Sequence, residues 1–235
     1  MSPRPFQRAH RRPLLRLALV WAAGLAGPLA GAAEVADVPP AAAWLAARTG
    51  LDGLVAAALA DRPDSYGFPP DVAAEELRLD APWRRYALPP ETVLAAAPPD
   101  SPAEATLQAT DTWFFPVVCR DSSCALLAVV RIDGAWRAAS LGYAGLAREL
   151  ARVRAQWPIA GGYHARLVSS FQARRHLFTV PEADAPNLTL LQVSPLARKS
   201  ASDYRRLDSP TATLNALRAD VRANLDAFPA GGSAP

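Results

Sequence analysis

The stretch that decides the fold is DTWFFPVVCRDSSCALLAVVRIDGAW, residues 111–136. Two of its segments, WFFPVVC and CALLAVVRI, are rich in β-branched and aromatic side chains, as β-strands are. Asp133-Gly134 is a strong hairpin signal, because a type I′ turn needs positive φ at both central positions. The register predicted around this turn contains two cross-strand pairs: Arg131 with Trp136, and Val129 with Ala138.

Pro116 interrupts the first of these strands. Proline has no N–H to donate to a ladder and is confined within sheets to edge strands, first positions and bulges. The sequence therefore predicts that this strand lies at the edge of the sheet or bulges at Pro116. The neighbouring Trp113, Phe114 and Phe115 are expected to fill the core or, if they are exposed, to form a surface for a partner.

Both cysteines of the chain lie in the same stretch, where Cys119 and Cys124 bracket the polar loop RDSS. In a symmetric hairpin the two side chains would face each other at a distance close to that of a disulfide. A catalytic dithiol normally uses Cys-x-x-Cys at a helix N-terminus, and a zinc site needs further ligands that are missing nearby. The spacing therefore predicts a structural disulfide.

Outward from this hairpin, the chain alternates helix and strand patterns. Residues 140–158 predict an amphipathic helix with Leu146 and Leu150 inward and Glu149 outward, along with Arg148, Arg152 and Arg154. Further strands are predicted at residues 83–88, 164–173, 176–180 and 188–193. Short helices are predicted at 41–50, capped by Gly50, at 51–62 and at 91–97, and a final helix at 210–228, with Ser209 as its N-cap.

This order of elements predicts an α+β fold. We expect an antiparallel sheet of about five strands packed with the amphipathic helix and the C-terminal helix, preceded by short N-terminal helices. The predicted organisation is a signal peptide at residues 1–32, a helical and proline-rich segment at 33–102, an α+β core domain at 103–228 and a disordered tail at 229–235.

The first 32 residues have the three parts of a secretory signal peptide: five arginines without an acid, an apolar run, and a small-residue site ending at Ala32. The alternative is an uncleaved anchor, but Pro28 interrupts the run and leaves it shorter than the roughly 20 residues of a membrane span. Residues 11–16, RRPLLR, partly resemble a twin-arginine export signal. We expect a periplasmic or secreted bacterial protein with no membrane span after cleavage.

Removal of the leader reverses the charge balance, because 20 basic residues then face 22 acidic ones. Nucleic-acid-binding domains usually carry a strong basic excess, so no nucleic-acid partner is expected. The one polar pattern that recurs after the leader is the arginine doublet: Arg84-Arg85, Arg174-Arg175 beside His176, and Arg205-Arg206. If the fold joined two doublets, they could bind an anion or a partner; otherwise they are separate solvated patches.

No sequence motif marks a catalytic nucleophile, a metal site or a cofactor. His164 and His176 are expected to lie too far apart to share a metal ion. The first functional hypothesis is therefore an exported, non-enzymatic module that binds a protein, a peptide or an envelope component. The alternatives are a periplasmic hydrolase built from His164, Ser169 or Ser170 and an acid, and a thiol–disulfide protein.

Overall fold

The computed structural model of the protein describes residues 37–95, 106–193 and 202–227. Three sequence expectations lie outside the described residues: the leader at 1–32, the end of the proline-rich segment around Pro98, Pro99 and Pro102, and the tail at 229–235.

The strands belong to one mixed sheet, and together with the helices they confirm the α+β class. The strands are β1 (Leu77–Leu79), β2 (Trp83–Ala87), β3 (Gln108–Cys119), β4 (Ser122–Ile132), β5 (Ala135–Gly142), β6 (Arg166–Ser170), β7 (Arg175–Thr179) and β8 (Thr189–Leu190). The order across the sheet is β5-β4-β3-β2-β6-β7-β8, and β1 pairs with β3 beside β2.

The helices pack around this sheet, and their lengths differ widely. They are α1 (Ala41–Gly50), α2 (Ala56–Asp61), α3 (Pro63–Tyr66), α4 (Pro90–Leu94), α5 (Ala144–Gln156) and α6 (Pro210–Ala227). A π turn, Leu51–Val55, joins α1 to α2, so that residues 41–61 form one continuous helical segment.

The prediction of about five antiparallel strands is wrong in number and in direction. The sheet has eight strands, and β2 runs parallel to β6, with Arg85 opposite Leu167. The reason is that β2 comes from the proline-rich segment and inserts between β3 and β6. The chain crosses one face of the sheet through α5 before it returns as β6, which gives β6 the direction of β2.

The two faces of the sheet are covered by different helices. On one face, α1 and α2 pack against Phe115 and Leu127, while α6 packs against Tyr86. On the other face, α5 packs against Phe114 and its neighbours on β2 and β4. Trp113, Phe114 and Phe115 are each no more than 3 % exposed, so the aromatic run of β3 belongs to the core.

The hairpin register predicted around Asp133-Gly134 is confirmed. Arg131 pairs with Trp136, and Val129 with Ala138. Both turn residues have positive φ, 50° for Asp133 and 80° for Gly134, as a type I′ turn requires.

Of the two outcomes predicted for Pro116, an edge strand or a bulge, the edge strand is wrong because β3 has neighbours on both sides. The register of β3 with β4 shifts one residue further on, between Val117 and Val118. Pro116 pairs with Leu126 of β4, and on the opposite side it falls where the partner changes from β2 to β1. The Pro116 carbonyl accepts a hydrogen bond from the Asp80 N–H (2.9 Å) on that side. In an extended strand the nitrogen and the carbonyl of one residue face the same side. The Pro116 nitrogen therefore faces the gap between β1 and β2, where no strand would accept a hydrogen bond from it, so the missing N–H costs no ladder bond.

The cysteine hairpin is tighter than the predicted four-residue loop. Its turn contains only Arg120 and Asp121, and Cys119 pairs with Ser122 rather than with Cys124. A register shift between Val117 and Val118 displaces Cys124, and the two cysteines still form a disulfide, with a Cα–Cα distance of 5.9 Å. The disulfide prediction is confirmed, but a symmetric register does not produce it.

Gly50 does not end the first helix. It keeps right-handed helical dihedrals (φ −67°, ψ −35°), and the helix continues into the π turn. A Cβ on Gly50 would lie 2.5 Å from Ala138 Cβ and 3.0 Å from Leu127 Cδ2. The glycine therefore lets the helical segment approach β4 and β5 closely, which is a packing role rather than a capping role.

The amphipathic helix begins later than predicted, because residues 140–142 extend β5 and Tyr143, at φ 58°, precedes α5. Leu146 and Leu150 are buried as expected. Glu149 is also buried, at 2 % exposure, which contradicts its predicted outward position. The Tyr204 hydroxyl donates to its carboxylate (2.5 Å), and Arg152 also pairs with it.

The C-terminal helix is confirmed for the residues that the structure describes. α6 starts at Pro210, and Ser209 caps it through a hydrogen bond from the Ala212 N–H to the Ser209 hydroxyl (3.3 Å). The buried stripe contains Leu214, Leu217 and Val221.

We predict that Gly50→Val lowers the free energy of unfolding by about 1–3 kcal/mol, because the new side chain overpacks the contact with β5. Gly53→Ala is the matched control, since a Cβ there meets nothing within 4 Å. It should leave stability unchanged or raise it by up to about 1 kcal/mol. Urea unfolding of both variants measures the difference, and equal effects would contradict the close approach at Gly50.

We also predict that reduction of the disulfide lowers the free energy of unfolding by about 2 kcal/mol, as expected for a very short closed loop. The measurement compares denaturant midpoints with and without reductant. The double variant Cys119→Ala, Cys124→Ala should be insensitive to reductant, and an unchanged midpoint for the wild-type chain would refute the prediction.

Candidate functional site

The first arginine doublet is divided between the two faces of the sheet, because neighbouring strand residues point in opposite directions. The guanidinium carbon of Arg84 lies 5.7 Å from the centre of the Trp113 ring, and the Arg84 Nε donates a hydrogen bond to the Thr110 carbonyl (3.5 Å). Arg85 points to the other face, where its guanidinium carbon lies 5.9 Å from the centre of the Phe114 ring.

The second doublet is also divided, so the predicted anion-binding residues do not form one cluster. Arg174 occupies the turn between β6 and β7 in a left-handed conformation (φ 53°) and is exposed. Arg175 pairs with Asp220 of α6 at 3.4 Å. Of the five predicted residues, only Arg85 and His176 lie near each other on one face.

Arg85 and His176 belong to a polar area of the sheet that we call the shelf, formed by Arg85, Thr112, Ser169 and His176. The Arg85 Nη2 donates to the Thr112 hydroxyl (3.1 Å). Ser169 Oγ and His176 Nδ1 are 3.2 Å apart across β6 and β7. Thr112 and Ser169 are only 5 % and 3 % exposed.

The environment of the shelf disfavours positive charge on His176. Burial lowers the pKa of His176, and the neighbouring Arg85 guanidinium lowers it further. Burial also lowers the pKa of Arg85. An arginine remains charged in proteins in spite of such a shift, so the shelf carries one guanidinium and a neutral imidazole near neutral pH.

The residues of the hydrolase alternative do not come together as that alternative requires. His164 is exposed and lies beside a separate cavity of about 50 Å³, which Arg154 and Arg166 also line. The histidine that contacts Ser169 is His176, not His164. Ser170 points to the opposite face of the sheet. Among the described residues no carboxylate contributes to the pKa shift of His176, so the third member of an acid–base–nucleophile set is missing there.

A second surface lies between the helical segment and β5. It is a groove with a volume of about 710 Å³, and most of its lining side chains are apolar. We call it the β5 groove; its lining residues are Ala42, Leu45, Ala46, Thr49, Gly50, Gly53, Leu54, Gly134, Ala135, Trp136, Arg137 and Ala138.

The helical segment, residues 41–61, leaves part of its apolar surface exposed. Its small residues face the sheet, since Ala43, Ala47 and Ala58 are at most 4 % exposed. Val55 is buried and Trp44, Leu51 and Leu59 pack against the core, whereas Leu45 and Leu54 face outward, at 67 % and 41 % exposure. By length and composition alone, the 21-residue segment could cross a membrane, at a mean hydropathy of 1.2; here one side of it packs on β4 and β5.

The strand that borders the groove has a free edge. Within the part of the chain that the structure describes, β5 is the terminal strand and pairs only with β4. A two-residue hairpin closes with a hydrogen-bonded pair, so the next pair, Arg131 with Trp136, is non-hydrogen-bonded. The N–H and carbonyl of Trp136 therefore point away from β4 along the open edge of the sheet.

Cys119, Cys124, His164 and His176, the described cysteines and histidines, are not arranged as a redox or metal site. Cys119 and Cys124 are 2 % and 7 % exposed, which makes their disulfide a poorly accessible target for exchange. Across the described ranges, no group of three histidine, cysteine, aspartate or glutamate side chains is arranged to hold a metal ion.

Comparisons of the chain with protein-family models, with curated proteins and with solved structures found no significant match. Function must therefore be inferred from the two surfaces themselves.

Sequence reasoning missed the β5 groove and the contact between Ser169 and His176. The sequence shows that many residues of 41–61 are apolar, but which of them face outward depends on the π turn. The serine and the histidine are seven residues apart, and only the register of the β6–β7 hairpin places them opposite each other.

We predict that His176 makes stability depend on pH. The pKa of His176 is lower in the folded chain than in the unfolded chain, where it is about 6.5. Below that pH the unfolded chain binds a proton more readily than the folded chain, so the free energy of unfolding falls as the pH decreases. His176→Gln should flatten this dependence, whereas the exposed His164→Gln should not. Urea unfolding between pH 7.5 and pH 5 tests this, and equal pH slopes for the wild-type and His176→Gln chains would contradict it.

Proposed function

We propose that this chain is an exported, non-enzymatic module that binds an extended apolar segment of a partner protein or peptide in the β5 groove. The observation that carries the proposal is the exposure of two large apolar side chains of the helical segment, Leu45 and Leu54, beside an open strand edge. Large apolar side chains gathered around a concave surface are typical of a binding site.

The open edge of β5 supports an extended partner. A peptide strand that adds to a sheet edge gains main-chain hydrogen bonds, and its alternate side chains enter neighbouring pockets. In this protein the Trp136 backbone offers such hydrogen bonds, and the groove lies directly beside it. A partner with apolar residues at alternate positions would therefore satisfy both features.

The form of the edge also fits recognition of a specific partner. Unprotected strand edges promote aggregation, and proteins commonly place charged side chains on them. β5 carries Arg137 among otherwise small or apolar groove residues. A single positive charge beside an apolar groove favours an extended segment that places an acidic residue opposite Arg137.

Two features support export, which the proposal includes. The leader has the pattern of a signal peptide, and disulfides such as that of Cys119 and Cys124 form and persist in oxidising compartments. The proposed location is therefore the periplasm or the exterior of a bacterium, and the proposed partner is a protein or an envelope component found there.

The test is a selection of random peptides on the immobilised chain, followed by affinity measurement and hydrogen exchange. We expect selected peptides with alternating apolar residues and protection of the Trp136 and Ala138 amides. Leu45→Glu should weaken binding by about tenfold or more, because it places a charge in the apolar groove.

The matched control is Ile159→Glu, since Ile159 is 45 % exposed but lies outside the groove. It should bind the selected peptides as the wild-type chain does. Equal losses in both variants, or protection away from β5, would refute the proposal. Binding of the chain to lipid vesicles through Leu45 and Leu54 without any peptide selectivity would instead assign the surface to a membrane.

A further inference from the structure

We propose that the shelf is a binding site for a small oxyanion, a carboxylate or phosphate group held by Arg85 with the help of Thr112, Ser169 and His176. The shelf includes none of the residues that line the β5 groove, so this inference does not depend on the proposed function. Its ligand is defined by the chemistry of the guanidinium, whose planar fork matches both groups.

The first observation is that Arg85 has no acidic partner among the described residues, although it is partly buried. Its guanidinium offers five N–H donors, and the structure shows one side-chain hydrogen bond, from Nη2 to Thr112. Its Nε is buried and lacks a hydrogen-bond partner. A buried charged donor without an acceptor is costly, and an incoming oxyanion would supply the acceptor.

Other arginines, two in the sheet and one on α5, have acceptors for their guanidinium groups. Arg166 pairs with Asp37 at 3.0 Å, and Arg175 pairs with Asp220. Arg154 is more deeply placed, and it donates to the carbonyls of Ala81 and Pro82. Arg85 differs from these three in that no carboxylate or carbonyl of residues 37–95, 106–193 or 202–227 bonds to its guanidinium.

The second observation is that hydrogen-bonding side chains surround the guanidinium on the same face. Alternation along the strands places Thr112 of β3, Arg85 of β2, and the Ser169 and His176 pair on one side of the sheet. One member of the Ser169–His176 pair donates to the other, so the pair keeps one further donor for an anion, either the Ser169 hydroxyl or the imidazole Nε2–H.

The third observation concerns the rim of the shelf. The Phe171 ring lies 5.0 Å from the Arg85 guanidinium carbon and is 52 % exposed, and Tyr143 is equally exposed. Tyr143 immediately precedes α5, and no side chain caps that helix. The positive end of the helix dipole therefore lies beside Tyr143, which adds to the preference for an anion.

Access to the shelf follows from where α5 begins. The helix covers the apolar part of this face, including Phe114, Leu167 and Phe178. The shelf lies beside that cluster, and the rings of Phe171 and Tyr143, both near Arg85, are each 52 % exposed. The proposed route for a small carboxylate or phosphate therefore passes these two exposed rings.

The experiment is a titration of the isotope-labelled full chain, followed by proton–nitrogen NMR spectra at constant ionic strength and pH. The probes are sodium phosphate in one series and sodium acetate in the other, with sodium chloride as the reference. We expect saturable shifts of the Arg85 Nε–H signal and of the Tyr143 and His176 amides. The anion that saturates at the lower concentration identifies whether the site prefers phosphate or carboxylate.

Two variants test whether Arg85 carries the binding. Arg85→Gln should weaken it by about tenfold or more, and Arg85→Lys should weaken it less, because an ammonium keeps the charge but not the planar fork. Arg148→Gln is the matched control, since Arg148 is exposed on α5, and it should bind as the wild-type chain does.

The proposal is overturned if neither salt gives saturable shifts at the shelf, or if Arg85→Gln binds as tightly as the wild-type chain. Equal weakening by Arg148→Gln would also overturn it, because that result would indicate general charge attraction. If Arg85→Gln does not fold, the wild-type titration decides alone, since it locates the shifted residues without any substitution.

Discussion

The structure depends on the burial of both faces of β3. Phe114 and Phe115 are adjacent in the chain and point to opposite sides, yet both are almost completely buried. A strand of this kind needs helices above and below it. The helical segment 41–61 and α6 cover one face of the sheet, and α5 covers the other. Both candidate surfaces lie where this cover ends, the β5 groove at the sheet edge and the shelf beyond the first turn of α5.

Much of the fold could be predicted where local chemistry decides the outcome. Asp133-Gly134 fixes the β4–β5 register through its turn geometry, and Ser209 with Pro210 fixes the start of α6. The disulfide was predictable from the spacing of Cys119 and Cys124, although the actual hairpin is asymmetric. In each case a few neighbouring residues carry the necessary information.

Other features depend on contacts between residues distant in sequence and were not predictable. The parallel pairing of β2 with β6 joins residues about 80 positions apart (Arg85 with Leu167). Pro116 indicates an edge only if a continuous partner strand is assumed, and here two short strands leave a gap for it. Glu149 looks like a surface residue until Tyr204, from a remote segment, provides its hydrogen-bond partner.

For the candidate sites too, the sequence indicates some of the residues, while contacts between distant segments decide which of them come together. Sequence analysis identified Arg85 and His176 as members of a possible anion contact, but it grouped them with Arg84, Arg174 and Arg175. Strand alternation separates Arg84 from Arg85, and α6 provides the partner of Arg175. What remains is a smaller cluster, completed by Thr112, which no sequence pattern marks, and by Ser169, which the sequence suggested only as part of a hydrolase.

The π turn at Leu51–Val55 determines the relative orientation of Leu45 and Leu54 on the helical segment. Leu45 and Leu54 are nine residues apart, and in a regular α-helix nine steps of about 100° would place them on opposite sides. The wider turn rotates less per residue, so both leucines line the same groove. Deletion of a single residue from this turn would rotate one of the two leucines about the helix axis and away from the β5 groove. The composition and the helicity of the segment would be almost unchanged. The spacing of these two side chains, more than their identity, is therefore what selection on this surface would have to preserve.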